Sequence, residues 1–317
     1  MHADEVDVPA PLVRALLADQ FPDWAALPLA RVPSAGTDNA LFRLGTDMAV
    51  RLPRIGWAVG QTEKDLTWLP RLAPRLPLAV PEPIGVGEPA AGYPWSWGVY
   101  RWLPGSEARL SRLADPVATA RELADFLHAL RSVDATGGPA GTSRGGPLSV
   151  RDKGTRECIA AVADEIDVDA VTAVWDEAVA APPWDGPPVW LHGDLTPGNL
   201  LVSGGKLSAV IDFACLGTGD PAPDLQVAWN LFAGESRAAF RAAVDADPAM
   251  WARARGFALS VALNQLPYYR DTNPALVALS RHVIGEVVTD HVPGRAEALP
   301  ANAYTDAMTG VVNREAG

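Results

Sequence analysis

Cysteine is scarce in this 317-residue chain, with Cys158 and Cys215 the complete set. Two thiols so far apart in sequence make neither a disulfide framework nor a metal-ligand cluster. Two reduced, partly buried thiols are the expectation. Lysine is nearly absent too: Lys64, Lys153 and Lys206 are all there is. No apolar run reaches the roughly 18–20 residues needed to span a bilayer. The opening Met1-His-Ala-Asp-Glu5 is acidic and lacks the basic-then-apolar order of a secretion signal, so the cytoplasm is the expected location. Positive charge is in deficit, with a formal net charge of −12. Residues 1–103 carry 11 acids and 9 bases, and residues 104–317 carry 27 and 17. Such a chain should repel nucleic acid and anionic membrane, so neither is an expected partner. The acidic second half suits a cationic substrate and equally suits a plain solubilising role.

What is present reads as two lobes. Hydrophobic residues at 48% and charged residues at 20% fit a globular chain, and 317 residues are too many for one small core. Residues 11–21 place apolar groups at 12, 13, 16 and 17, a helical spacing. Leu29 to Val32, Ala40 to Leu44 and Met48 to Leu52 read as short strands divided by turn residues. A helix is predicted from Gln61 to Ala73, with Leu66, Leu69 and Leu72 on one stripe. Strands return at Ile84–Val86 and Trp97–Leu103. Pro104-Gly105 then changes the pattern, and a lobe boundary is drawn at 103, with a hinge over 100–105. Asp115 is a good N-cap and Pro116 a good first residue for a helix to Val133. Residues 134–149, rich in Gly, Pro, Thr and Ser, read as a mobile loop. Helical patterning resumes over 155–180, a hairpin region spans 189–213, and 223–299 is mostly helix. The expected class is α+β: an antiparallel sheet with one helix in residues 1–103, and a mainly helical lobe in 104–317.

Chemistry concentrates in one stretch, Val189-Trp-Leu-His-Gly-Asp-Leu-Thr-Pro-Gly-Asn-Leu-Leu-Val202, followed by Ile211-Asp-Phe-Ala214. Phosphoryl transfer asks a protein for positioning, a proton acceptor at the attacking hydroxyl and metal ligands beside the phosphates. Asp194 and Asn199 stand in the Asp-x4-Asn spacing of a kinase catalytic loop. Asn199 and Asp212 offer the hard oxygens magnesium prefers. Leu200–Ser203 and Leu207–Asp212 can pair across Gly204-Gly205, a favoured two-residue turn that would bring Asp212 back beside Asn199. Each residue alone has a plainer reading, since an isolated Asp is usually a cap or turn residue. The ordered set is what points to kinase chemistry.

The set His192-Gly-Asp-Leu-x-x-Gly-Asn199, Ile211-Asp-Phe213 and Gly219-Asp-Pro-Ala-x-Asp224 resembles the aminoglycoside and macrolide phosphotransferase family, with its bilobal protein-kinase-like fold. Ala49-Val-Arg-Leu-Pro53, the aromatic run Tyr93 to Gly105, Trp251-Ala-Arg253 and Leu266-Pro-Tyr-Tyr269 extend the likeness over most of the chain. The resemblance implies a nucleotide-binding lobe over 1–103 and a catalytic and substrate-binding lobe over 104–317. It implies Asp194 as base, His192 as the brace of the catalytic loop, and Asn199 and Asp212 as magnesium ligands. Asp220 and Asp224 would buttress that loop. ATP or GTP would lie with its adenine or guanine edge on the main chain of Arg101 to Leu103, and Ser34 and Gly36 would lie in the turn over the phosphates.

The sequence departs from this family at one place. The usual lysine of the third strand is missing, and Arg51 occupies the position. A guanidinium stays charged and can clamp phosphate oxygens bidentately, so Arg51 is expected to replace it. Its partner carboxylate is expected to be Asp65, with Glu63 as the alternative. Acceptor-binding candidates are Glu235, Asn264, Tyr268, Tyr269 and Asp271, together with the 134–149 loop. Trp229, Phe232 and Leu266 could line a pocket or a packed core. The expected activity is transfer of the γ-phosphoryl group of a Mg-nucleotide to a hydroxyl of an aminoglycoside- or macrolide-like small molecule. A kinase of a sugar or amino alcohol, and a nucleotide-binding pseudokinase, are the alternatives. The set Asp194, Asn199 and Asp212 argues against a binding-only module, and the lack of an Ala-Pro-Glu segment argues against a protein kinase.

Overall fold

In the computed structural model, which describes residues 5–33, 38–141 and 144–291, the first helix, α1 (Ala10–Gln20), buries Val13, Leu16 and Leu17 at helical spacing. Strands β1 (Leu29–Arg31), β2 (Asn39–Leu44) and β3 (Met48–Pro53) follow. In β2 the alternate residues Ala40, Phe42 and Leu44 are buried, the period of a half-buried strand. Helix α2 (Gln61–Leu72) is inserted before β4 (Pro83–Gly87) and β5 (Trp97–Arg101). The five strands make one antiparallel sheet in the order β1-β2-β3-β5-β4. The α1 side chains join Phe42, Leu44, Val50, Leu52, Trp97 and Val99 in one core. Each such large apolar chain contributes about 1.5–3 kcal/mol on burial.

Helix α2 corrects one expectation. Leu66 is exposed, and the inward face is Gln61, Thr62, Asp65, Leu69 and Leu72. Three of these five inward residues are polar, so the apolar stripe alone does not mark the buried face. Gln61 and Asp65 serve an ion-pair cluster described below.

Contacts divide the chain into two units. The first holds residues 1–107 together with 200–203 and 207–214, and the second holds the remainder. Strand β6 (Ser106–Glu107) of the first unit pairs with a later strand, as given below.

In the second unit, Asp115 accepts hydrogen bonds from the N–H groups of Val117 and Ala118 and starts α3 (Pro116–Ser132). The helical patterning over 155–180 is carried by two helices, α4 (Asp152–Ala161) and α5 (Val168–Ala180). Asp167 restarts the helix by accepting from the Ala170 N–H. Strand β7 (Val189–Leu191) leads into the catalytic-loop sequence. It is followed by β8 (Leu200–Ser203) and β9 (Lys206–Val210), which but for Lys206 belong to the first unit, and then by β10 (Gly217–Gly219) of the second. Strands β6, β8 and β9 form a three-stranded sheet, whereas β7 pairs with β10, so the hairpin is confined to β8 and β9. Helices α6 (Val227–Asn230), α7 (Gly234–Ala243), α8 (Pro248–Tyr269) and α9 (Pro274–His291) complete the unit. Helix α8 is buried nearly all round from Met250 to Leu263, and it packs against α4, α5 and α9. The fold is α+β, a sheet with an inserted helix followed by a mainly helical unit.

The described part of 134–149 is tied down, contrary to its reading as a mobile loop. Ala140 bridges Thr218 in parallel, and the Gly141 N–H donates to the Thr218 carbonyl at 2.8 Å. The N–H of Asp220 donates to the Gly145 carbonyl at 3.1 Å. Glycine permits this close approach. A Cβ at Gly219 would sit 2.3 Å from the Gly145 oxygen, and one at Gly217 would sit 2.7 Å from the Gly141 Cα.

Candidate active site

The loop after β7 turns sharply at Gly193, whose φ of +81° suits glycine. A side chain there would also meet the Cys215 carbonyl at 2.8 Å. Two consecutive amides, His192 and Gly193, donate to the carboxylate of Asp224 at 2.9 and 2.6 Å. Asp224 is fully buried, and burial pushes its carboxyl above the ordinary value despite His192, Arg131 and these two amides. His192 is also fully buried, and its Nδ1 accepts from the Asp194 N–H at 3.2 Å. Asn230 donates to the Leu195 carbonyl at 3.0 Å. Arg253 holds Asp220 through Nε at 2.7 Å and Nη2 at 3.3 Å. The backbone around Asp194 is thus fixed from several sides.

Asn199 Nδ2 donates to the Asp194 carbonyl at 2.8 Å and to its Oδ2 at 3.3 Å. That leaves the Asn199 side-chain oxygen on the opposite side of the amide, suited to a hard cation. The Asp194 side chain is 29% exposed, so a substrate hydroxyl can reach it. Its other oxygen, Oδ1, lies 3.4 Å from Arg144 Nη2. Arg144 belongs to the 134–149 loop expected among the acceptor-binding segments, but a glycine-rich run has no periodicity that singles out one residue.

In the first unit, Arg51 on β3 is the centre of a charged cluster. Its Nη1 lies 3.1 Å from Asp65 Oδ2, and its Nη2 lies 3.1 Å from Asp212 Oδ1 and donates to Gln61 Oε1. Burial opposes the arginine charge, but Asp212, Tyr100 and Asp65 outweigh it and raise its pKa. Tyr100 donates to the same Asp65 oxygen at 3.0 Å. Asp65 is 1% exposed, and its carboxyl is raised mainly by desolvation. Gly98 stands opposite Arg51 in the β3–β5 register, and a Cβ there would sit 2.4 Å from the Tyr100 ring. Glycine at 98 therefore makes room for the tyrosine that reaches Asp65. Asp212 has a φ of +62°, an uncommon conformation for a non-glycine residue and one Asp tolerates. Its side chain is 44% exposed, so carboxylate oxygen is open to a ligand. Glu63, the alternative partner for Arg51, is exposed.

The other predicted residues fall as follows. Ser34 and Gly36 lie outside the described residues. Arg101 ends β5, donates its N–H to the Glu82 carbonyl and pairs through its side chain with Asp47 at 3.4 Å. Leu103 follows half-buried. Glu235, Asn264, Tyr268 and Asp271 are exposed on the second unit, and Tyr269 is half-buried. Trp229, Phe232 and Leu266 are buried core. Among the described residues no group of three or more His, Cys, Asp or Glu side chains could hold a metal. Among the described residues no helix is long and apolar enough to cross a membrane.

A sheet-and-helix unit bearing an arginine–carboxylate cluster, and a helical unit bearing an Asp–Asn loop, define a kinase-like phosphotransferase. The chain belongs to the phosphotransferase enzyme family, whose sequence profile matches residues 30–257. Similar solved structures include APH(2")-IIia in its GDP and kanamycin complex (TM-score 0.68, 19% identity, 88% of this chain and 99% of that one). The GDP complex of aminoglycoside 2'-phosphotransferase-IIIa gives a TM-score of 0.70 at 18% identity, over 88% and 98% of the two chains. Macrolide 2'-phosphotransferase MphH from Brachybacterium faecium gives 0.53 at 24% identity, over 86% and 97%. These likenesses concern the fold. No curated protein matches the chain.

Proposed function

We propose that this chain is a small-molecule kinase that transfers the γ-phosphoryl group of a Mg-nucleotide to a substrate hydroxyl. The observation that carries this reading is the clamp of Asn199 on Asp194 at 2.8 Å, on a loop whose amides are anchored to buried Asp224. A loop serving binding alone has no need of a fixed, accessible carboxylate. In the reaction the hydroxyl oxygen bonds to the γ-phosphorus, the bridging bond to the β-phosphate breaks, and the nucleoside diphosphate leaves. Asp194 orients the hydroxyl and takes its proton. Arg51, locked by Asp65 and Asp212, supplies a cation to the nucleotide phosphates. Asn199 and Asp212 would hold magnesium, which when bound neutralises charge developing on the phosphates. Solved relatives of the same fold are complexes with GDP or ADP, and with kanamycin or gentamicin. Their names make an aminoglycoside or macrolide hydroxyl the first acceptor class to test. Diphosphate release from Mg-ATP and Mg-GTP should be measured with kanamycin, gentamicin, a macrolide and simple sugars. Turnover that disappears in Asp194→Ala is the expected result. Equal turnover in wild type and variant overturns the assignment.

A further inference from the structure

The chain as a whole is acidic, but Asp194 has a guanidinium beside it. Arg144 Nη2 lies 3.4 Å from Asp194 Oδ1, and Arg144 packs beside Gly193 of the same loop. Nη2 is the atom turned to Asp194, and Nε and Nη1 are the other donors of the same planar fork. A second arginine stands behind it. Arg151 donates from Nε to Ser260 Oγ at 2.8 Å and lies 5.9 Å from the Phe257 ring, both on α8. Ser260 in turn meets Thr155 Oγ1 at 3.0 Å. The two arginines are near enough to feel each other: burial first, and then the Arg144 charge, bring Arg151 down to about 10.

Several carboxylates of the second unit are taken up by partners of their own. Asp152, next to Arg151, directs its Oδ1 to Arg156 and Trp175. On the helices, Glu165 pairs with Arg270 and Arg281, Glu177 with Arg255, and Glu286 with Arg237. The acidity of residues 104–317 is thus partly neutralised in internal pairs, and the charged side chain at Asp194 Oδ1 is the Arg144 guanidinium. A hydroxyl held by Asp194 lies within about 2.6–3.2 Å of its carboxylate. A substituent one or two carbons from that hydroxyl then faces Arg144. An ammonium there meets like charge, whereas a carboxylate or phosphate meets a fork of N–H donors.

We propose that the acceptor of this enzyme carries an anionic group close to the hydroxyl it presents, and that Arg144, backed by Arg151, binds that group. This inference rests on Asp194 being the base, and it sets the substrate class against the cationic one that net charge suggests. In atom terms the transfer is the one given above, and the anion is bound, not altered.

The test uses three matched pyranoses on the full chain: glucuronate (anion), glucose (neutral) and glucosamine (cation). Binding without nucleotide is read by calorimetry, and Asp194-dependent diphosphate release from Mg-ATP is read separately. Glucuronate should bind at least tenfold tighter than glucosamine. The preference should vanish in Arg144→Gln and persist in Arg144→Lys, which also controls for misfolding. Equal binding of the three, preference for glucosamine, or an unchanged order in Arg144→Gln overturns the inference. If glucuronate binds through Arg144 but no sugar gives turnover above Asp194→Asn, the kinase reading fails while the anion site stands. If glucosamine or glucose is the better phosphorylated acceptor, the kinase reading stands and the anion site fails.

Discussion

Arg51 holds Asp212 through a 3.1 Å ion pair although 161 residues separate them in sequence. The same guanidinium is 3.1 Å from Asp65, so one side chain ties the β3 strand, the α2 helix and the segment after β9 together. The pair has two parts with different consequences. Asp65 is buried and Asp212 is 44% exposed, so the first part bears on stability and the second on ligand binding.

Arg51→Ala is therefore expected to do two separable things. It leaves the Asp65 charge buried without its cation, which costs about 3–5 kcal/mol when a buried pair is broken from one side. It also removes the cation proposed for the phosphates. Joining Asp65→Leu to Arg51→Met should recover most of the stability, since apolar replacement of a buried pair is often neutral. It should not recover Mg-nucleotide affinity. Urea unfolding and nucleotide titration distinguish the two effects, and full nucleotide affinity in the double variant removes Arg51 from the nucleotide site.

How far this cluster could be foreseen depends on range. Asp65 was legible because Leu69 and Leu72 follow it at helical spacing, and Arg51 because it stands where the family that the sequence resembles carries its lysine. Gln61 and Tyr100 were not. Gln61 is only the first residue of a helix until the Arg51 guanidinium reaches it. Tyr100 depends on the β3–β5 register and on the space left at Gly98, and neither is written in local sequence. The Asp194–Asn199 contact was legible for a different reason: Asp-x4-Asn is a short-range spacing that keeps both residues on one loop. Arg144 was hidden in a glycine-rich run that composition assigns to a loop, although backbone pairing with Thr218 and Asp220 ties the described part of that loop down.

That backbone pairing is testable at Gly219. A methyl there would sit 2.3 Å from the Gly145 carbonyl oxygen, closer than atoms approach, and the obstacle is backbone rather than a movable side chain. Overpacking of this kind costs about 1–3 kcal/mol. Gly219→Ala should lower the melting temperature by several degrees, whereas Gly154→Ala, with nothing within 4 Å of its Cβ, should not. Equal melting points for the two variants would show that β10 and the 139–145 segment do not pack this closely.

The anchor of the catalytic loop should also respond to pH. Burial raises the native pKa of Asp224 above its ordinary 3.8. The native state therefore holds a proton that the unfolded chain has already lost, and stability contributed by this group falls as pH rises from 3.8 through the native pKa. Below 3.8 both states are protonated and the contribution is complete. The difference in unfolding free energy between wild type and Asp224→Asn should be largest at the acid end of this window and shrink as pH climbs. Urea midpoints at a series of pH values measure it. A difference that grows with pH means that the amides of His192 and Gly193 outweigh burial and hold the carboxyl down.

The last expectation separates chemistry from architecture on the same loop. Asp194 is 29% exposed, and its side chain meets Arg144 and Asn199 without belonging to the core. Its removal should hardly disturb folding, and Asp194→Asn should stay within about 1 kcal/mol of wild type, as surface-accessible positions do. Losing a proton acceptor at the attacking hydroxyl should lower kcat on the order of 10²–10⁴-fold. Asn230→Ala offers the converse. It frees the Leu195 carbonyl and opens a gap in a buried place, so it should cost about 1–3 kcal/mol. It should slow turnover only to the extent that the loop around Asp194 shifts. Measuring kcat and the urea midpoint for both variants tests the pair. A large stability loss in Asp194→Asn, or full activity in it, would move Asp194 from the chemistry to the scaffold.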